Sequence, residues 1–263
     1  MNIAFIGYGN MGSALLNGIL ASEKKLLDTN IYVFHNKNEK SFQRERCIFK
    51  KSGESVEVDF DIIFLCTKPK DIEKSINENS KIFNDNQVIV SIAAGLSSKN
   101  IKNFIQKKIF VVRAMPNLCA IFSESITGLF FDELIDNTKK EFIKNIFNSV
   151  GHIREIDEDE MHLFTAIFGS GPAYIMYFIE SLINSGNFKN IKEEDKSILI
   201  LHLLNSTSKM LFVSEDIKYL RSQVTSKGGT TEAAIKIFEN KKLSKTIKEA
   251  VENAAKKSLD LSK

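Results

Sequence analysis

The chain has 263 residues and a formal net charge of +3, with 43% hydrophobic and 26% charged residues. This composition is ordinary for a globular protein, and the length suffices for one large domain or two smaller ones with proper cores. Charges of both signs are mixed without a basic stripe, so charge offers no case for nucleic-acid binding.

The first half alternates strand-like and helix-like segments. Helical patterns over residues 11–21, 72–79, 99–106 and 137–149 fall between several of the short apolar runs. Such alternation predicts an α/β domain with a doubly wound, mainly parallel sheet. The predicted strands are residues 2–6, 31–35, 61–66, 87–92, 109–113, 128–131 and 152–156.

The pattern changes after about residue 157, beyond which no convincing strand follows. Helical periodicity covers residues 161–185, 193–213, 230–239 and 244–261. The segment 198–204 is apolar almost all round, which indicates burial between neighbouring helices. Either the helical half buries it internally or a second copy of the chain covers it.

The N-terminus opens directly with a strand, without a basic leader, and no apolar stretch approaches the roughly 18 residues of a membrane span. We therefore expect a cytoplasmic location. Cys47, Cys66 and Cys119 lie far apart in apolar runs. We expect buried, reduced thiols and no metal site.

A glycine-rich turn with the spacing G-x-G-x-x-G follows the first strand and precedes a helix. Its glycines allow a tight turn and a close backbone approach to a pyrophosphate, at which the helix amides point. In this context the motif predicts a dinucleotide site, although a turn that only packs a helix on a strand is the alternative. The candidate cofactor-binding residues here are Ile6, Gly7, Tyr8, Gly9, Asn10, Met11 and Gly12.

The second strand ends at Asn36 and Lys37, where an NAD site normally carries an acidic residue. An amide and a cation can donate to the 2′-phosphate of NADPH, which a carboxylate would repel. We therefore predict NADPH as the cofactor, with NADH as the alternative. The alternative interpretation of Lys37 is a solvated surface lysine without a role in cofactor binding.

Two further strand ends carry candidate cofactor contacts. Ligands of open parallel sheets bind beyond the carboxyl ends of the strands. Small residues there would let a flat nicotinamide ring rest against the backbone, although each motif alone is equally compatible with a simple turn. The candidates are Thr67, Lys68, Pro69, Ala93 and Ala94.

Two glycine-rich clusters interrupt the helical half. In residues 168–174, glycine and proline would cost about 1 and 3 kcal/mol in a helix interior, which predicts a kink or a close backbone approach. In residues 224–232, two glycines precede two threonines at a helix start. Free N–H groups and hydroxyls there form an anion nest suited to a carboxylate, an ordinary threonine N-cap being the alternative.

Taken together, these motifs resemble the pyrroline-5-carboxylate reductase family. The resemblance implies an NADP-binding Rossmann domain over residues 1–156 and an all-α substrate and dimerisation domain over residues 157–263. It also implies a homodimer or a higher assembly of dimers, with the active site between cofactor domain and helical dimer. The matching segments are residues 5–12, 68–69, 91–95, 113–117, 169–174 and 224–231.

The resemblance implies reduction of the C=N bond of 1-pyrroline-5-carboxylate to L-proline, the last step of proline biosynthesis. By position, Ser226, Gly229, Thr230 and Thr231 would hold the substrate carboxylate and ring, and Glu158 would line the same site. Thr231 is the candidate catalytic residue, because its hydroxyl would hydrogen-bond the ring nitrogen.

The chain departs from the family pattern at a few positions. Lys227 stands where the family usually has proline, and His162 replaces an acidic residue. Phe168 replaces a smaller residue, and Ser222 with Gln223 replaces an Asp/Asn-type pair. These differences affect local contacts.

Two other functions share parts of this pattern. A β-hydroxyacid dehydrogenase shares the general plan but needs a catalytic lysine on the helix after its glycine-rich segment, and residues 172–180 contain none. A non-catalytic NADP-binding protein would bind the nucleotide without turnover. The anion nest at residues 228–231 favours the enzyme.

Overall fold

The computed structural model describes residues 1–21, 29–36, 47–213 and 216–261. They fall into two compact units. The sheet unit comprises Met1–Pro172 together with the chain from Glu252 onward, and the helical unit comprises Ala173–Val251. The domain boundary at residues 156 and 157 stays a prediction.

Eight strands form one sheet in the sheet unit. They are β1 (Asn2–Ile6), β2 (Asn30–His35), β3 (Cys47–Lys51), β4 (Ile62–Leu65), β5 (Val88–Ser91), β6 (Phe110–Met115), β7 (Ser125–Phe131) and β8 (Gly151–Glu155). Their order is β3-β2-β1-β4-β5-β6-β7-β8, with β1 to β6 parallel. The chain winds in opposite directions from β1, so the predicted doubly wound sheet is confirmed.

The central strands are apolar because both of their faces are covered. Every residue of β4 and β5 is buried, as expected for parallel strands with helices on both sides. Phe5 of β1 stacks on Phe64 of β4 with ring centroids 4.6 Å apart. The helices of this unit include α1 (Asn10–Ala21), α2 (Ile72–Glu78), α3 (Ser98–Ile105) and α4 (Asn137–Asn148).

Two features of the sheet were not predicted. Strand β3 is a half-exposed edge strand, and its run of three apolar residues followed by two lysines is too short to predict a strand. Strand β7 runs antiparallel to β6, and β8 follows β7 in parallel. The seven predicted strands are otherwise confirmed, and no bound is shifted by more than three residues.

A break divides the segment that was predicted as one helical pattern over residues 161–185. Helix α5 (Met161–Phe164) leads into a π-helical turn (Thr165–Gly169), and α6 (Gly171–Ile183) follows. The predicted kink at the glycine and proline residues is therefore confirmed.

Pro172 accounts for this break. Proline has no N–H to donate to the carbonyl of Phe168, one helical turn earlier. The side-chain amide of the buried Asn117 donates to that carbonyl instead, at 3.0 Å. The segment 113–117 and the glycine-rich cluster 168–174, which are far apart in the sequence, therefore meet through the contact of Asn117 with Phe168.

The helical unit continues with α7 (Glu193–Val213), α8 (Ile217–Gln223), α9 (Thr230–Asn240) and α10 (Leu243–Asp260), whose last turns belong to the sheet unit. The predicted bounds of α7 are confirmed, and those of α9 and α10 are met within one residue. Helix α8 was not predicted. Its signal is Asp216, whose side chain caps the helix by accepting from the N–H of Tyr219 at 2.9 Å.

Helices α6 and α7 expose much of their apolar surface in a single copy of the chain. The proposal that the helical half buries α7 internally is therefore wrong for one copy, and cover by a second copy is the alternative that remains. The exposed large apolar side chains of the two helices include Tyr174, Ile175, Met176, Tyr177, Phe178, Ile198, Leu199, Leu201, Leu203 and Leu204.

One segment of the described residues, Glu158–Ile183, is long and apolar enough to cross a membrane by length and composition, with a mean hydropathy of 1.3 over a window of 18 residues. The expectation that no stretch approaches this length is wrong, because scattered polar residues such as Ser170 lower the average only slightly. Acidic residues begin the segment, and the π turn and Pro172 interrupt it. One such segment is weak evidence for a membrane span.

None of the three cysteines forms a disulfide within the described part of the chain. Cys66 is buried, and this burial raises the pKa of its thiol. Cys47 and Cys119 are only half-buried, so the expectation of buried thiols is confirmed for Cys66 alone.

Candidate active site

Three candidate cofactor loops lie at one edge of the sheet because their strands are parallel neighbours. The loop after β1 begins with Gly7, whose N–H donates to the carbonyl of Phe34 at the end of β2, at 2.9 Å. Beyond β4, the N–H of Cys66 donates to the backbone carbonyl of Ile6 at 2.8 Å. Beyond β5, the N–H of Ile92 donates to the backbone carbonyl of Leu65 at 3.2 Å. The sheet thus brings together the loops that contain Gly7 to Gly9, Thr67 to Pro69, and Ala93 to Ala94.

The glycine-rich turn has the shape that a dinucleotide requires. Gly7 has a φ of +99°, and a Cβ there would lie 2.8 Å from the Cγ2 of Thr67. Gly9 is exposed, and a Cβ on it would meet nothing within 4 Å, so the turn leaves open space beside the start of α1. Backbone amides at that start can approach a pyrophosphate, so the residues present fit the group.

The remaining residues of the turn differ in exposure. Asn10 is exposed, Tyr8 and Met11 are half-buried, and Ile6 and Gly12 are buried. Tyr8 packs edge-on against Phe49 of β3 at 5.6 Å between ring centroids. The buried members therefore shape the turn, whereas Gly9 and Asn10 are open to a ligand.

The residues that would distinguish NADPH from NADH lie at the end of β2. Asn36 is exposed directly after this strand, on the side of β1 opposite β4. Lys37 lies outside the residues that the structure describes. The end of β4 adds the exposed Lys68, beside the half-buried Thr67, whose Oγ1 accepts from Ser75 at 3.2 Å.

Glu158 has a full set of partners within the sheet unit. Its Oε1 accepts from the N–H of Ser98 at 2.7 Å and from Nη1 of Arg113 at 3.2 Å. Its Oε2 accepts from the hydroxyl of Ser98 at 2.8 Å. The sequence resemblance identified Glu158 as a substrate contact and gave no role to Arg113 or Ser98. The available signal was an arginine in an otherwise apolar strand, which needs a partner when buried.

His162 lies next to this cluster. Its Nδ1 is 3.0 Å from the hydroxyl of Ser258 on α10. Burial, followed by the positive charge of Arg113, lowers the pKa of His162, and Glu158 acts in the opposite direction. A neutral histidine therefore stands where the family pattern has an acidic residue.

The loop before α9 contains the predicted substrate residues of the helical unit. The N–H of Gly229 donates to the carbonyl of Ser226 at 3.0 Å, and the N–H of Gly228 donates to the carboxylate of Glu232 at 2.8 Å. Glycine at the N-cap, Gly229, offers no side chain to the first-turn amides of α9. The amides of Thr230 and Thr231 thus stand at a helix start that attracts anions.

Charge at this helix start is balanced locally. Glu232 also pairs with Lys236 at 3.4 Å, and the pKa of its carboxyl is lowered by the N–H of Gly228 and then by Lys236. Lys227 is exposed beside the loop. Thr230 is exposed and Thr231 is half-buried.

Two family models match the chain. Pyrroline-5-carboxylate reductase dimerisation matches residues 158–261, and NADP oxidoreductase coenzyme F420-dependent matches residues 2–95. The pyrroline-5-carboxylate reductase of Staphylococcus haemolyticus is 34% identical, with 100% of this chain and 98% of the relative covered. The pyrroline-5-carboxylate reductase 2 of Bacillus subtilis is 32% identical over 98% of this chain and 94% of its own length. The chain belongs to the pyrroline-5-carboxylate reductase family.

Solved structures of the family agree with this assignment. The pyrroline carboxylate reductase of Plasmodium falciparum, solved with NADP bound, has a TM-score of 0.86 and 27% identity, covering 100% of this chain and 98% of its own. The enzyme of Streptococcus pyogenes has a TM-score of 0.87 and 25% identity, covering 99% and 98% respectively. The pyrroline-5-carboxylate reductase fold is thus present over the whole chain.

Proposed function

We propose that this protein is an oxidoreductase that uses NADPH to reduce the C=N bond of 1-pyrroline-5-carboxylate, giving L-proline. The structural observation that carries this proposal is the start of α9. There Gly229 leaves first-turn amides uncapped beside the hydroxyls of Thr230 and Thr231, in a chain whose sheet unit has a dinucleotide turn. A helix start with free amides and hydroxyls suits a small carboxylate.

NADPH would be held by the residues of the sheet unit. Gly7, Gly9 and the start of α1 would receive the pyrophosphate, and Asn36 with Lys37 would receive the 2′-phosphate. Ala93 and Ala94 would lie against the nicotinamide. When bound, the reduced nicotinamide supplies the hydride, and the protein supplies alignment.

The helical unit would hold the substrate. The amides of Thr230 and Thr231 would bind its carboxylate, and Ser226 and Gly229 would border its ring. The Thr231 hydroxyl would hydrogen-bond the ring nitrogen and orient the C=N bond. The protonated imine is the better hydride acceptor, and the matched motifs contain no histidine–carboxylate pair to act as acid, so the substrate enters already protonated.

We also propose that this protein acts as a homodimer in the cytoplasm. The apolar surface of α6 and α7 and the match to a dimerisation model support the dimer. Two identical copies would bury this surface in an isologous interface, and higher assemblies of dimers are compatible with it.

The decisive experiment follows nicotinamide absorbance with purified protein, 1-pyrroline-5-carboxylate and each reduced cofactor in turn. We expect consumption of NADPH that depends on the imine, with proline as the product and slower consumption of NADH. Binding of NADPH without imine-dependent turnover would support a non-catalytic nucleotide-binding protein instead.

A further inference from the structure

The loop between β5 and α3, residues 92–97, is held in place at two points. The proposed function does not assign a structural role in this loop to the residues that hold it. The loop contains Ala93 and Ala94, which are predicted to lie against the nicotinamide. Its conformation therefore sets the position of one face of the cofactor. The contacts that fix this loop come from residues far away in the sequence.

The first point is the N-terminus of α3. Glu158 accepts from both the N–H and the hydroxyl of Ser98, the first residue of this helix, at 2.7 Å and 2.8 Å. The first turn of α3 contains no acidic residue of its own. Glu158 thus places a carboxylate at the positive end of the helix, where a negative charge is stabilising.

Arg113 fixes the carboxylate in turn. Its side chain is 6% exposed, and its Nη1 lies 3.2 Å from Oε1 of Glu158. A buried guanidinium is costly without an opposite charge, so this arginine of β6 holds Glu158 in a single orientation. The Glu158 carboxylate therefore links two elements: Arg113 of β6 holds it, and it in turn holds the N-terminus of α3 through Ser98.

The second point is Gly95, which has a φ of +84°. A Cβ there would lie 2.7 Å from the Cβ of Leu261 and 2.8 Å from the carbonyl oxygen of Ser258. The end of α10 thus packs directly on the backbone of the loop. His162 holds Ser258 at 3.0 Å, which ties this contact to the turn that carries Glu158.

We propose that Glu158 is a positioning residue, which acts through Ser98 and with Arg113 to hold residues 92–97 against the nicotinamide half of the cofactor. This assigns Glu158 a role in place of the substrate contact that the family resemblance implied. The inference rests on the proposed function, because it takes NADPH as the ligand of the sheet unit.

The test separates the two halves of the cofactor. Dissociation constants are measured for NADPH and for adenosine 2′,5′-bisphosphate, which lacks the nicotinamide, together with the KM for each substrate. Glu158→Ala should raise the Kd and KM for NADPH about fivefold or more, because it removes hydrogen bonds to a charged group. The Kd for adenosine 2′,5′-bisphosphate and the KM for the imine should each change less than about twofold.

Glu158→Gln is the conservative variant. Its amide oxygen still accepts from the N–H of Ser98 and its NH₂ donates to the Ser98 hydroxyl, so it should restore much of the NADPH affinity. Asp132→Ala is the matched control, since it removes an ion pair with Lys102 of the same helix, away from its N-terminus. This control should leave both dissociation constants unchanged.

Each other result has a defined meaning. A folded Glu158→Ala protein with wild-type NADPH affinity overturns the proposal, and so does a higher KM for the imine alone, which would indicate a direct substrate contact. If Glu158→Ala does not fold, Ser98→Ala replaces it, and unchanged NADPH affinity in that variant overturns the proposal as well. The expected NADPH effect in a protein without imine turnover would refute the proposed reaction and leave the positioning role intact.

Discussion

The backbone N–H of Gly228 donates to the carboxylate of Glu232 at 2.8 Å, across the turn from which α9 begins. This bond orders the loop that is proposed to receive the substrate carboxylate. Glu232→Ala should therefore raise the KM for the imine substrate about fivefold with little change in kcat, since one charge-assisted hydrogen bond is lost. Steady-state kinetics check this, with Glu239→Ala on the same helix as control. An unchanged KM would show that the turn is ordered without Glu232.

Thr231 is the proposed partner of the ring nitrogen. Thr231→Ala should lower kcat/KM about tenfold or more, because the substrate loses a hydrogen bond that orients its C=N group. Thr231→Ser, which keeps the hydroxyl, should recover most of the activity. Thr225→Ala serves as control, since the Thr225 hydroxyl only donates to the carbonyl of Arg221, at 2.7 Å. Near-wild-type kinetics of Thr231→Ala would exclude the proposed role.

The glycines of the cofactor turn should respond differently to the same substitution. Gly7→Ala places a Cβ 2.8 Å from Thr67 at a φ of +99°, so it should lower the melting temperature as well as NADPH affinity. Gly9→Ala meets nothing within 4 Å and should fold normally. It should still weaken NADPH binding, because the methyl group occupies the approach to the pyrophosphate. Calorimetry and NADPH titration distinguish the two, and tight binding by Gly9→Ala would contradict the assigned pyrophosphate position.

His162 should make stability depend on pH. Burial, then the charge of Arg113, lower its pKa below the ordinary 6.5, so the unfolded chain takes up the proton first as the pH falls. The free energy of unfolding should decrease as the pH falls below 6.5 towards the folded-state pKa. His162→Gln should show a smaller decrease between about pH 7.5 and about pH 5.5, measured by thermal unfolding. Ser258→Ala keeps the histidine and should keep the slope; equal slopes in wild type and His162→Gln would contradict the assignment.

The exposed apolar surface of α7 should control assembly. Leu203 is 59% exposed in one copy, and a buried leucine contributes about 1.5–3 kcal/mol at an interface. Because a two-fold axis repeats every change, Leu203→Glu places two charges in the interface and should give monomers in analytical ultracentrifugation. Lys209→Glu, a charge change at a polar position of the same helix, is the control. A dimeric Leu203→Glu protein would show that another surface forms the dimer.

Local patterns in the sequence were sufficient for the elements whose residues carry their own signal. The first strand and its glycine-rich turn are continuous in the chain, and α7 has an acidic start and a long apolar run. Strand β3 escaped because an edge strand is only half-buried, and α8 because seven residues contain barely two turns. The antiparallel direction of β7 depends on how the chain returns to the sheet, which no local pattern records.

In the candidate site, too, some residues could be predicted from local sequence motifs and others could not. Gly7 and Gly9 follow from a motif with a known physical requirement, and Thr231 follows from the family resemblance. The partners of Glu158 do not, because Ser98 lies 60 positions away along the chain and meets it only in the folded sheet unit. The contact of Asn117 with the carbonyl of Phe168 is a similar case. The sequence shows that Pro172 has no N–H for this carbonyl, but only the folded structure shows that Asn117 supplies the hydrogen bond.

Because the end of α10 packs on Gly95, the cofactor-binding half of this protein is built from two separate stretches of the sequence, residues 1–172 and the chain from Glu252 onward. A recombinant fragment that stops at residue 156 or 172 would lack the residues that pack on Gly95. Its nucleotide affinity would therefore not represent that of the full chain. A useful minimal protein would join the segment beginning at Glu252 to the first 172 residues through a short flexible linker. Late nonsense mutations that spare every glycine-rich motif would then still damage nucleotide binding.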